Sequence, residues 1–207
     1  MWSSEVTNMI ITGIWETLYM TLVSTLVGYV IGLPMGIILT VSDKDGIKPN
    51  AVLYKILDVI ANIVRSVPFI ILLVLLIPFT RLVVGKSYGS TATIVPLVIA
   101  AAPYIARMVE SSLKEVDAGV IEAARSMGAS NFTIITKVML VEARTSLLVG
   151  ATITLGTILG YSAMSGAVGG GGLGAIAIRY GYTRWQTDIM IVTAVSYTHL
   201  TLPTKLE

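Results

Sequence analysis

The 207 residues are 13% charged and 55% hydrophobic, whereas a soluble domain carries about 25% charged residues. A soluble fold of this size cannot hide so much apolar surface, so a bilayer is the expected solvent. The net charge of +2 says little alone, but the lack of cysteine excludes a disulfide framework or a thiolate metal site, and a lone histidine, His199, excludes a histidine-based metal or proton-relay site.

The expected fold class is an all-α membrane protein of about five transmembrane helices, the fifth truncated or altered, with the N-terminus outside and a cytoplasmic hairpin of coupling helices. No signal peptide is read at residues 1–8, which lack a basic stretch and contain Glu5. Residues 17–42 are free of Asp, Glu, Lys and Arg and hold twelve Leu, Ile or Val residues. At mid-membrane these contribute about −5 kcal/mol toward insertion. Within them Gly28, Gly32 and Gly36 form a small-residue ridge suited to helix packing, and Pro34 predicts a local kink or break.

The second span is read at residues 66–80, extended back through 56–64 with Arg65 at the interface. Residues 87–106 and 145–178 supply the third and fourth, each long enough for a core that needs roughly 20 helical residues. Arg107 and Glu110 are spaced to pair at the inner end of the third span. Residues 189–195 begin a fifth span, but the polar stretch from Ser196 to Lys205 interrupts it, and Leu206-Glu207 reads as a cloning scar. Residues 196–207 are therefore expected to be a non-native tail, and 1–195 the transmembrane domain.

Nine Lys and Arg residues fall between spans one and two or between three and four: Lys44, Lys48, Lys55, Arg65, Arg107, Lys114, Arg125, Lys137 and Arg144. The opposite loops hold four, so the nine-charge side is predicted to be cytoplasmic. Its longer loop, 114–142, is helical in pattern. Asp117 suits an N-cap, Gly128 a left-handed terminator, and Ser130 the cap of a second helix over 131–142. Such a hairpin is more than a linker needs and reads as a docking element.

The run Glu122-Ala123-Ala124-Arg125-Ser126-Met127-Gly128, continuing to Val138-Met139-Leu140, makes a narrow helix face with one anchoring charge and a glycine stop. It resembles the EAA loop of ABC importer permeases, with Val141 where that family usually has proline. Arg65-Ser66-Val67-Pro68-Phe69-Ile70-Ile71-Leu72-Leu73 is similar to the second-span signature of amino-acid importer permeases. The stretch from Gly160-Tyr161-Ser162-Ala163-Met164 through Gly169-Gly170-Gly171-Gly172, with Arg179-Tyr180-Gly181-Tyr182 after it, resembles the methionine importer permeases in particular.

The resemblance implies a homodimeric permease in the bacterial inner membrane, surrounded by lipid, moving L- and D-methionine. Two cytoplasmic ATPase subunits would dock on the paired loops and bind ATP and magnesium themselves, and a methionine-binding protein would deliver substrate outside. No cofactor in this chain, no catalytic activity and no nucleic-acid partner are expected. The expected coupling residues are Glu122, Ala123, Ala124, Gly128, Asp117 and Met127. The expected pathway residues are Tyr161, Ser162, Met164 and Pro68, with Met164 as a soft apolar plug.

The four consecutive glycines lack the Gly-Lys-Ser/Thr of a phosphate loop. They read either as a flexible external turn against the binding protein or as close backbone packing. An ABC permease for another amino acid is the nearest alternative. A secondary carrier would need a coupling carboxylate deep in a span or an internal repeat, and a membrane enzyme an activated nucleophile; the sequence shows no such pattern.

Overall fold

The computed structural model describes residues 4–201. Among them every regular element is helical. Helix α1 runs Ser4–Ser42, α2 Ala51–Ser66, α3 Phe69–Leu75, α4 Ile77–Val84, α5 Ser90–Lys114 and α6 Ala118–Ser126. After α7 (Asn131–Thr133) a π-helical stretch, Ile134–Met139, leads into α8 (Leu140–Glu142) and then α9 (Arg144–Ser165). A 3₁₀ turn, the glycine run and α10 (Gly172–Ile176) follow, then π-helical Ala177–Tyr182 and α11 (Thr187–Thr201).

Among the described residues three stretches are long and apolar enough to cross a membrane, Ser4–Ser42, Ser90–Lys114 and Arg144–Tyr182, the last turning at its glycine run; Ala51–Ser66 with Phe69–Leu75 qualifies only as a pair bent by 102°. The expected second span is not one rod. It is divided among α2, α3 and α4: Pro68, with no N–H to give a continuing helix, disfavours helical geometry at Val67 and separates α2 from α3, and α4 restarts after Leu76 with Pro78 in its first turn. Pro68 instead stands as the extended residue that opens α3, at φ −54° and ψ 132°. Pro34, by contrast, interrupts nothing: α1 continues through it. At the other end of the chain α11 runs through residues 196–201 as regular helix, and residues 202–207 of the expected tail lie outside the described residues.

The chain forms two compact units, one from Met1–Val27, Val67–Ala100 and Leu155–Glu207, the other from Gly28–Ser66 and Ala101–Thr154. In the first, Ile10, Leu173, Ile176 and Ile189 form a buried cluster covered by Val6, Met9, Ile14, Tyr180 and Val192. Its portion of α1 turns Ile11, Trp15, Tyr19, Leu22 and Leu26 outward at steps of three and four, the reverse of a soluble helix. Two inward-facing hydroxyls bond back to the helix, Thr17 to the Gly13 carbonyl (2.8 Å) and Thr25 to that of Thr21 (2.7 Å), whereas Thr21 Oγ1 and Ser24 Oγ are buried without a partner.

In the second unit the glycine ridge of α1 lies against α5. A Cβ at Gly32 would fall 2.6 Å from the Ala102 carbonyl oxygen, and one at Gly36 2.6 Å from both the Ala106 carbonyl oxygen and the Val109 Cβ. Only glycine permits that approach, and the packing role expected of the ridge is what the geometry uses. Contacts on either side of Pro34 also explain why α1 stays whole there: tertiary packing outweighs one lost backbone hydrogen bond.

Candidate functional site

The second unit carries the hairpin between α5 and α9. Asp117 Oδ1 accepts the Gly119 N–H at 2.7 Å and starts α6. The helix ends at Gly128, φ +80°, with the Gly128 N–H donating to the Arg125 carbonyl (3.0 Å) and the Ala129 N–H to that of Ala124 (3.1 Å). That pair of bonds is the Schellman termination, which needs a residue tolerant of left-handed backbone. Ser130 Oγ then accepts the Thr133 N–H at 3.2 Å and starts the second helix. Its continuation bulges into π geometry at Ile134–Met139, and the turn into α9 falls on Ala143 (φ −77°, ψ 0°), two residues after Val141.

On α6, Ala124 is buried against the unit while Glu122 and Ala123 face outward. Met127 is 82% exposed, and Phe132, across the Gly128 turn, is 75% exposed. Two large apolar side chains on the tip of a polar hairpin form the kind of patch a partner protein covers. Phe132 went unnoticed in the sequence; the signal available was an aromatic two residues after a capping serine, on a segment too short and polar to be a span. No atom lies within 4 Å of a Cβ placed at Gly128, so a side chain there would project into open space.

Arg125 anchors α6 to the loop between α1 and α2, its Nη2 donating to the Ile47 carbonyl at 3.1 Å. Between them lies a groove of about 430 Å³ lined by Asp43, Asp45, Ile47, Lys114, Glu122 and Arg125 among others. Beside it is an ionic cluster. Glu110, 5% exposed, accepts from Arg107 Nη1 at 2.7 Å through Oε2. Its Oε1 accepts from Lys114 Nζ at 2.8 Å and from the Tyr54 hydroxyl at 3.3 Å. Arg107 Nη2 also donates to Asp58 Oδ1 and, at 3.0 Å, to Asn62 Oδ1. Lys114 Nζ lies 2.6 Å from Asp43 Oδ2. That hydrogen bond holds the Asp43 carboxyl below the usual carboxylate range, outweighing the opposing effect of burial. The Arg107–Glu110 pair was expected from spacing; the links to Asp58 and Asp43 were not.

In the first unit, Phe69, which follows Pro68, stacks on Tyr161 with ring centroids 4.5 Å apart and planes within 4°. Met164, one turn on from Tyr161, is 51% exposed. Ser162 points the other way: it is fully buried, and its hydroxyl donates to the Leu159 carbonyl at 2.7 Å. The structure therefore places Tyr161 and the Pro68 break at one stacked contact, with Ser162 held inside the helix packing.

The glycine run is a packed turn. Gly169, Gly171 and Gly172 have φ of +81°, +84° and +68°, and a Cβ at Gly172 would meet Thr17 Oγ1 at 2.6 Å. The Gly172 N–H donates to Glu16 Oε2 at 2.6 Å and the Leu173 N–H to Thr17 Oγ1 at 2.9 Å. Of the two readings left open by the sequence, close packing is the one this geometry supports.

The family profile described as "Binding-protein-dependent transport system inner membrane component" matches residues 28–205. The "Probable D-methionine transport system permease protein MetI" of Vibrio cholerae serotype O1 is 49% identical over 194 residues, which cover 94% of this chain and 86% of that protein. The "D-methionine transport system permease protein MetI" of Escherichia coli strain K12 is 54% identical over 158 residues, 76% of this chain and 73% of that one. A solved chain described as "Inward facing conformations of the MetNI methionine ABC transporter: CY5 native crystal form" is 50% identical, with a TM-score of 0.97 over 99% of this chain and 94% of its own.

Proposed function

The chain belongs to the family of binding-protein-dependent transport system inner membrane components, and from that membership we propose that it is the membrane-spanning subunit of an ATP-driven methionine importer. It is a multi-pass protein of the bacterial inner membrane and a transport subunit, with the ATPase a separate chain. Its partners are an ABC ATPase and a second permease copy, and a methionine-binding protein on the outer side completes the system.

The observation that carries the coupling role is the capped hairpin of α6 and α7, rigid at both caps and apolar at its tip. An ATPase pair docked on two such hairpins moves them when ATP closes it. The pathway between the two copies, with Tyr161 and Met164 near its outer gate and Pro68 at the break before α3, then alternates between outward and inward openings. ATP must favour one of those states over the other, since equal affinity shifts nothing. ATP and magnesium stay with the partner subunit.

Gly128→Asp tests the role. A side chain at this position meets nothing in the folded chain, and left-handed backbone costs it only about 1–2 kcal/mol. The variant is expected to insert and fold, yet to lose methionine uptake because its carboxylate obstructs the docked ATPase. Uptake at the unaltered rate would overturn the coupling role.

A further inference from the structure

We propose that Glu110 is a positioning residue for transport: its buried carboxylate, gripped by Arg107 and Lys114, ties the α1–α2 loop and α2 to the foot of α5, so that a displacement of α6, carried to that loop by the Arg125 hydrogen bond, reaches α2 through charge pairs. The inference rests on the importer function proposed above.

Three elements meet at this carboxylate. Lys114 bridges Glu110 to Asp43, at the start of the α1–α2 loop. Arg107 bridges it to Asp58 and Asn62 on α2, and the Tyr54 hydroxyl adds a third tie to α2. The same loop is held from the other side by Arg125 of α6, through the Ile47 carbonyl. A chain of polar contacts thus runs from α6 to the loop through a backbone carbonyl, and on to α5 and α2 through charge pairs, all within one compact unit.

Stability alone is a poor reason for such a cluster. Desolvating buried ions offsets most of their attraction, and apolar side chains of the same volume hold helices together as well. What charge pairs add is fixed register and the capacity for discrete rearrangement. Arg107 Nε is buried without an acceptor, so the cluster has a spare donor and is not locked in a single fully satisfied pattern. The cluster also sits one helical turn from the hairpin, Lys114 being three residues before the Asp117 cap.

The test measures methionine moved per ATP hydrolysed by the complete transporter, with its ATPase and binding protein, in lipid vesicles. Glu110→Gln keeps the shape and removes the charge; Asp58→Asn cuts the tie to α2. Both are expected to lower the ratio about tenfold while ATP hydrolysis continues, the size expected when a coupling contact is lost. Lys114→Met, at the more exposed end of the cluster, should uncouple likewise, and Lys114→Arg should restore the ratio by keeping both salt links. A merely structural role predicts that uptake and hydrolysis fall together, with the ratio unchanged, and that result overturns the proposal. Should Glu110→Gln not assemble, the Lys114 pair decides by the same ratio. An unaltered transporter that hydrolyses ATP without moving methionine counts against the substrate; the ratio is then read with whichever amino acid stimulates hydrolysis.

Discussion

Single glycines in this chain differ sharply in what they tolerate. A Cβ at Gly36 would strike a backbone oxygen and the Cβ of Val109, neither of which yields without moving α5. At Gly28 the nearest atom is the far end of the Ile105 side chain, at 2.9 Å. Gly36→Ala is therefore expected to destabilise by about 1–3 kcal/mol. Gly28→Ala should cost less, since the Ile105 tip can turn aside and the better helix propensity of alanine, about 0.5–1 kcal/mol, offsets part of the crowding against the Ala101 Cβ at 3.1 Å. Melting temperatures in detergent check the order; a Gly28→Ala loss as large as that of Gly36→Ala would contradict it.

Asp43 supplies a test by pH. Its folded-state carboxyl titrates below the ordinary value because Lys114 donates to it. The stabilisation is thus complete above the unfolded value of about 4 and fades as pH falls through the lowered folded value. The melting-temperature gap between the unaltered chain and Asp43→Asn is expected to be steady near neutrality and to close under acid conditions. A gap that widened on acidification would show that the pair is not formed.

At the scale of elements, local chemistry was legible in the sequence. Asp117, Gly128 and Ser130 were read as cap, terminator and cap because each acts on a backbone group within a few residues, and the structure has all three so. Arg107 and Glu110 were legible for the same reason. The Lys114–Asp43 and Arg107–Asp58 links were not, since they join residues dozens of positions apart and no period announces them. Tyr54, Asp58 and Asn62, four apart on one face of α2, were the available hint of a polar partner. The break at Pro68 escaped because hydropathy counts apolar residues and ignores which of them lacks an N–H. Glu16, which holds the Gly172 amide, was hidden by its position at the edge of a charge-free run.

The hairpin tip gives the prediction proper to this scale. Met127 and Phe132 have little to hold within the fold and much to offer a partner. Met127→Ser with Phe132→Ser is expected to leave insertion intact and to weaken capture of the ATPase about tenfold or more, as loss of exposed apolar anchors does elsewhere. Equal recovery of the ATPase with the double variant and with the unaltered chain would remove the tip from the interface.

For the whole molecule, orientation is the premise on which the mechanism depends. The nine-to-four division of Lys and Arg predicts that the α6–α7 hairpin lies in the cytoplasm, where the proposed ATPase partner would reach it. The exposed apolar stripes of α1 and of α2, with Val52, Ile56, Val59 and Ile63 outward, suit a lipid or subunit surface rather than water. The chain has no cysteine, so Ala123→Cys creates a single reporter on the outward face of α6. A membrane-impermeant maleimide should leave it unmodified in intact cells, modify it in inside-out vesicles stripped of ATPase, and be blocked when the ATPase is restored. Labelling from outside intact cells would place the hairpin on the wrong side of the membrane and contradict the account.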